Sequence, residues 1–381
     1  VAQSSVPVFL DASSAEPLLP EAREAWLAAQ DAGWGDPLRL HRAGRRAAQA
    51  LDRTRAVVAD AVGARPDEVV FTGSGAHSAQ AAIAGLALGR RRVGTGIVTS
   101  AVEHSSVLSA AQTYGDAVTV PVDLLGRVDL GAWRAAVSAG GVALAGLQVG
   151  NHEVGTLQPF REAAEACRAA DVPFVLDATS ALGRTDLRDA GDWSVLVGSA
   201  AAFGGPPSVG LLVIRKGVRW RAPYPTDDYQ GGRWPGLPDV PAIFAAAVAL
   251  ETWLADYDEV SARQHQLVGS LRRGLPRAVP DIDVAGDPDL RLPHLLTFSA
   301  LYVDGESLTL ELDRAGFAVA SGSACSASSE HPSHVLAAMG ALTHGNVRLG
   351  LTRTTTKADV ESFLLAVPPV VEELRARLGA P

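Results

Sequence analysis

Short apolar runs alternate with amphipathic stretches from about residue 65 onward. "EVVFTG" predicts a strand and "SAQAAIAGLALG" a helix; "GIVTS", "SSVLSAAQTYG" and "AVTVPV" predict strand, helix and strand. "VALAGLQV", "FREAAEACRAA" and "PFVLDA" repeat the alternation, and "SVLVGS" and "VGLLVI" close it with two further strands. Continuously apolar strands interleaved with helices predict an α/β domain, a mostly parallel sheet covered on both faces. In such a sheet the loops after the carboxyl ends of the strands form the site.

The pattern changes after "GGRWPGLPDVP". Long helical stretches, "AIFAAAVALETWLADY" and "ARQHQLVGSLRRGL", give way to short strands, "DIDVAG" and "HLLTFSA", and a helix, "GESLTLELDRAG". A last helical pattern, "KADVESFLLAVPPVVEELRARL", is interrupted by two prolines. The division expected is a large α/β domain over 21–244 and a small α+β domain from 1–20 and 245–381.

Composition narrows the function classes. The 381 residues are 47% hydrophobic and 20% charged, with a net charge of −9. Nucleic acid and anionic membranes both demand clustered positive charge, so neither is an expected partner. No apolar run reaches the ~20 residues of a membrane span. The opening "VAQSSVPVFLDASS" lacks the basic and long apolar regions of a signal peptide, so the expected location is cytoplasmic. Two cysteines far apart form neither a disulfide framework nor a paired-cysteine zinc site. Cys167 falls on the apolar face of a helical pattern and reads as a small core residue. Cys325 falls in "VASGSACSASSEHPSHVL", a loop of small polar residues, and reads as an exposed thiol. Lys216 and Lys357 are the two lysines of the chain.

One turn stands out. "VLVGSAAAFGGPPSVG" joins two predicted strands with the glycine-rich signal of a catalytic turn, yet Ala200, Ala201 and Ala202 bring no chemistry to it. "FLDASSAEPLLP", "GDPLRLHRAGR", "VEHSSVL", "GNHEVGTLQP", "VLDA", "SGSACSASSEHPSHVLAAMG" and "NVRLGLTRTTT" follow one another in an order that resembles the cysteine desulfurases. These are pyridoxal-phosphate (PLP) enzymes of the class-V aminotransferase group, and the likeness covers nearly the whole chain.

The resemblance implies the PLP-dependent transferase type I fold and a homodimer with sites at the subunit interface. It implies a lysine-bound PLP that acts as electron sink while a loop cysteine takes sulfur from L-cysteine as a persulfide, leaving alanine. Cys325 matches that loop cysteine, and Arg348 matches the arginine that pairs with the substrate carboxylate, with Asn151 beside it. His104 matches the histidine stacked on the cofactor ring and Asp177 the partner of its pyridine nitrogen. Ser199 keeps a matching serine. His77 follows a phosphate loop whose backbone amides still suit an anion.

The departures lie in the same places. Ala202 stands where the Schiff-base lysine belongs and Ala201 where a histidine belongs. Ala76 and Leu237 replace threonines that hold phosphate, and Ser180 replaces a glutamine that meets the ring oxygen. His152 alters a further ring contact. No covalent cofactor is therefore expected, non-covalent PLP stays open, and no metal is expected. The departures extend over the whole site, so natural loss is favoured over an engineered knock-out. The main expectation is a desulfurase-like protein acting in sulfur transfer through Cys325, with a small amino-acid or carboxylate ligand and a sulfur-acceptor protein. A genuine PLP cysteine desulfurase with an altered site, and a non-catalytic partner of an active paralogue, are the alternatives.

Overall fold

A computed structural model of the protein describes residues 7–321 and 332–379. The chain enters through β1 (Val8–Phe9), then α1 (Pro20–Asp31) and α2 (Arg42–Ala61). The alternation that follows is β2 (Val69–Thr72), α3 (Gly75–Arg90), β3 (Gly96–Ser100), α4 (Ser105–Tyr114) and β4 (Asp116–Val120). It continues through α5 (Leu130–Val137), β5 (Val142–Gln148), α6 (Phe160–Ala169), β6 (Phe174–Asp177), β7 (Val195–Ser199) and β8 (Gly210–Ile214). These strands form one seven-stranded sheet in the order β2-β8-β7-β6-β5-β3-β4. β3 to β7 run parallel, while β8 runs antiparallel to both β2 and β7.

Two long helices, α7 (Val240–Ala255) and α8 (Tyr257–Ala278), lead to β9 (Ile282–Val284), β10 (Leu295–Ala300) and α9 (Gly305–Arg314). The chain ends with β11 (Phe317–Ala318), β12 (Ala320–Ser321), α10 (His334–Met339), β13 (Asn346–Gly350) and α11 (Lys357–Leu378). A second sheet has the order β12-β13-β10-β9, and β1 pairs in parallel with β11, tying the N-terminal arm to this part of the chain.

Hydrophobic cores pack on both sheets, and the core of the large sheet also takes in Leu19, Leu250 and Leu295. One packs α2, α6 and α7 against the large sheet through Leu51, Trp133, Phe174, Phe203 and Trp253. Another packs α8, α9 and α11 on the small sheet through Leu271, Phe298, Leu312 and Phe363. Among the described residues no single helix is long and apolar enough to cross a membrane.

The prolines of the last helical pattern do not interrupt it. α11 continues through Pro368 and Pro369, which deprive the carbonyls four residues earlier of partners. Leu365 lies in the exposed part of the helix, where water can serve a freed carbonyl, while Val360, Phe363, Val367 and Val371 hold the other face in the core. Tertiary packing outweighs the local break.

Gly210 opens β8 opposite Thr72 and Ser199. A Cβ there would collide with the carbonyl of Ser74 and the hydroxyl of Thr72. Thr72 Oγ1 is itself committed, donating to Ser74 O at 2.9 Å and meeting Ser78 Oγ at 2.7 Å. Gly210→Ala is expected to lower stability by about 1–3 kcal/mol in urea denaturation, the usual cost of overpacking. An unchanged midpoint would mean that the start of α3 gives way freely.

Candidate functional site

The carboxyl ends of β2, β3, β5, β6 and β7 converge on a cavity of about 220 Å³. Ser74, Gly75 and Ala76 bring the N-terminus of α3 to it, and His104 and Ser106 bring the N-terminus of α4. Gln148 and His152 follow β5, while Asp177, Thr179 and Ser180 follow β6. Ser199 ends β7, and Ser14 reaches in from the N-terminal arm.

Local hydrogen bonding explains these positions. Ser74 caps α3, its Oγ accepting from His77 N–H at 3.2 Å. Gly75 packs so closely on β7 that an added Cβ would stand 2.7 Å from Ser199 Cβ. His104 caps α4 through Nδ1, which accepts from Ser106 N–H at 3.2 Å and lies 2.8 Å from Ser106 Oγ. Asp177 Oδ1 accepts from Thr179 N–H at 2.9 Å.

Imidazoles and acids cluster at this lining and behind it. The rings of His104 and His152 meet edge to face at 5.0 Å, and His334 lies 6.4 Å beyond His152. Burial holds the His104 and His152 rings below the ordinary histidine range; the nearby charge of Arg348 acts in the same direction on both, and Asp177 opposes it on His104. Both rings are therefore neutral acceptors at pH 7. His152 Nε2 lies 3.8 Å from Glu153 Oε1, whose partner oxygen accepts from Ser333 Oγ–H at 2.6 Å. Glu103 is fully buried, and burial, aided by the charge of Asp177, pushes its carboxyl up to about 8.

The alanine turn lies beside this cavity. Ala200–Phe203 form one 3-10 turn, closed by Gly204 in the left-handed region at φ 74°. Groups outside the turn bind its carbonyls: Glu16 N–H donates to Ala201 O at 2.9 Å and Arg184 Nη1 donates to Ala202 O. The backbone is thus held by hydrogen bonds in which the side chains at 201 and 202 take no part.

Both lysines lie elsewhere. Lys216 follows β8 at the end that pairs with Val195, the start of β7, and its backbone N–H donates to Glu68 Oε1 at 2.7 Å. That is the opposite end of the strand from Ser199. Lys357 opens α11 with its side chain 83% exposed and paired with Glu361 at 3.3 Å.

The class-V aminotransferase pattern matches residues 31–363. The chain belongs to that family. A cysteine desulfurase of Cereibacter sphaeroides is 36% identical over 380 residues, covering 97% of this chain and 97% of that protein. The cysteine desulfurase IscS of Dictyoglomus turgidum is 33% identical, covering 97% of this chain and 95% of that protein. Among solved structures a NifS-like protein superposes with a TM-score of 0.89 at 25% identity, covering 97% of this chain and all of that one. An apo cysteine desulfurase of Thermococcus onnurineus, at 20% identity and a TM-score of 0.85, shows the fold alone.

In this member of the class-V aminotransferase family, His104, Asp177, Ser180, Ser199 and Ala76 lie together at the cavity. His77 is not in the cavity. It is exposed, with its ring 5.7 Å from Trp234, because the first turn of α3 carries it past the capping serine. Asn151 has no exposed surface. Its amide donates to Val102 O at 3.0 Å and its oxygen accepts from the N–H groups of Glu153 and Val154 at 2.9 Å each, so it shapes its loop. Leu237 is exposed on its loop. Arg348 is buried on β13, in register with Thr297 of β10 and Ala320 of β12.

Cys325 lies outside the described residues. Cys167 is buried in the core, and burial pushes its thiol up to about 12, which leaves it inert. Among the described residues no group of three His, Cys, Asp or Glu could hold a metal. The sequence reading missed Ser14, Gln148 and Glu103. Ser14 and Gln148 carry no local signal, but an acid wedged between the apolar "VTSAV" and a capping histidine marks Glu103.

Proposed function

We infer that this chain is a cysteine-desulfurase-like protein that has given up lysine-bound PLP chemistry and works in sulfur transfer through Cys325. The supporting observation is the placement of Lys216 and Lys357, neither of which lines the cavity. The cofactor implied by the family would, when bound through a lysine, supply an electron sink. The residues present do not fit that attachment: a methyl group at 202 forms no imine, and Ala76 offers no hydroxyl to phosphate.

In this reading the thiolate of Cys325 attacks the outer sulfur of a donor persulfide. The donor's S–S bond breaks, the donor thiol leaves, and the new persulfide passes to a thiol of an acceptor protein. Arg348 offers a fork for a small carboxylate, and the working unit is a homodimer in the cytoplasm. A second reading, a genuine PLP cysteine desulfurase, draws support from the 36% identity to such an enzyme and from His104 and Asp177 at the cavity.

The test is a visible spectrum of the purified protein with and without added PLP, followed by borohydride reduction and mass analysis. No aldimine absorbance and no pyridoxyl adduct are expected. A reduced adduct on the chain would establish the second reading instead. Persulfide loading from a sulfane-sulfur donor should be lost in Cys325→Ala; loading that persists there would sink the sulfur-transfer role.

A further inference from the structure

Strand β12 ends in the small sheet at Ser321, and the chain returns at Pro332 to enter α10. α10 is seated elsewhere, on loops of the large sheet. Val335, Leu336 and Met339 pack with Val102, which follows β3, and Val154, which follows β5. Two hydrogen bonds fix the return. Ser333 Oγ donates to Glu153 Oε2 at 2.6 Å and accepts from Leu336 N–H at 3.2 Å, so one buried hydroxyl both caps α10 and ties it to the loop after β5. His334 Nε2 donates to Glu103 O at 2.9 Å.

Glu153 is bound on both sides of this junction. Its carbonyl accepts from Thr297 Oγ1 at 2.9 Å. Thr297 is in register with Arg348 of β13, and Arg348 with Ala320 of β12, the strand from which the chain leaves. Its carboxylate holds the point at which the chain comes back. That side chain is 2% exposed, and a carboxylate is costly to bury. Apolar contacts already seat α10, so the acid supplies direction and not bulk. A hydroxyl on a carboxylate at 2.6 Å fixes a rotation and register that apolar packing leaves free.

Cys325 falls between the two ends, four residues after Ser321 and eight before Ser333. Residues held at both ends search a smaller volume than residues held at one. A reactive group carried on them meets a bound partner at a higher effective concentration.

We propose that Glu153 is a positioning residue for sulfur transfer. Through Ser333 it fixes where the chain returns from Cys325, and so sets how often that thiol meets a donor held at Arg348, without altering the thiol. The proposal rests on the reading that Cys325 carries sulfur.

Loading of Cys325 by glutathione persulfide, followed in the full chain at rising donor concentration, gives a maximal rate and a half-saturating concentration. Ser333→Ala and Glu153→Leu should each lower the maximal rate about tenfold, the lower end for a hydrogen bond to a charged group, and leave half-saturation within about twofold. Glu153→Gln keeps an acceptor for Ser333 and should recover most of the rate lost in Glu153→Leu. Ser333→Ala combined with Glu153→Leu should lose no more than either alone, because both cut one bond. Alkylation of Cys325 by iodoacetamide, which needs no bound partner, should keep its rate in every variant; Cys167 is buried and does not compete. Ser333→Ala keeps the test open if Glu153→Leu fails to fold. An unchanged maximal rate in Ser333→Ala, additive losses, or alkylation slowed in step with loading would each overturn the proposal. Loading absent from the unaltered chain removes the sulfur-transfer reading and this proposal together; loading present there and equal in the variants removes this proposal alone.

Discussion

Arg184→Met should lower the stability of the protein by about 3–5 kcal/mol, the cost of leaving one member of a buried ion pair alone. The side chains of Arg184 and Glu16 are 1% and 2% exposed and meet at 2.8 Å. Burial pulls the guanidinium down and the carboxyl up, each opposed by the charge of its partner. Arg184 also stacks over Trp253 at 4.5 Å and binds the carbonyl of Ala202, while Glu16 accepts from Arg353 N–H at 2.7 Å. Methionine keeps most of the volume and removes the charge, so Glu16 is left buried without its counter-ion. Urea denaturation measures the loss. Adding Glu16→Gln to Arg184→Met should recover a large part of it, because no charge then remains stranded. A single-variant loss below about 1 kcal/mol would show that water reaches Glu16.

Glu103 should give the protein an unusual pH dependence. Its carboxyl titrates near 4.5 when unfolded and near 8 in the fold. Between these values the native state holds a proton that the unfolded state has released. Stability therefore falls as pH rises through that window, by up to ~1.4 kcal/mol per pH unit and ~4–5 kcal/mol in all. Buried histidines act in the opposite direction at lower pH. His152 and His294 are held well below 6.5, so the unfolded state gains protons first, and stability falls as pH drops below 6.5. Glu103→Gln keeps an acceptor for Ser100 Oγ–H, now 2.5 Å from Oε1, and should flatten the alkaline side. Equal slopes above pH 6.5 in the two proteins would show that Glu103 is ionised in the fold.

The fold was legible because its signals are local or periodic. Apolar strands such as Val142–Gln148 are buried at every position, as their composition demands, and Gly204 and Gly205 mark the turn after β7. The helix spanning Pro368 and Pro369 was not, because the contacts that outweigh the prolines come from α8, distant in sequence. The same distinction runs through the site. His104 and Asp177 follow strand ends and were placed by order along the chain. His77 was misplaced because a single step around the first turn of α3 decides between cavity and solvent. Asn151 looked like a ligand contact, but its oxygen is taken up in a local turn by the N–H groups of Glu153 and Val154, and its amide nitrogen is committed to Val102 O, distant in sequence. Ser14 enters from an arm more than fifty residues from its neighbours in the cavity.

The alanine turn bears on how such a site changes over generations. Its shape is fixed from outside, by Glu16 and Arg184 acting on main-chain oxygens. The side chains at 201 and 202 take no part in those bonds, so exchanging them should leave that backbone in place. Selection on chemistry and selection on fold act here on separate residues. Once one relaxes, the other goes on preserving a stable body with an open position, on which a new ligand can be selected without first rebuilding the scaffold.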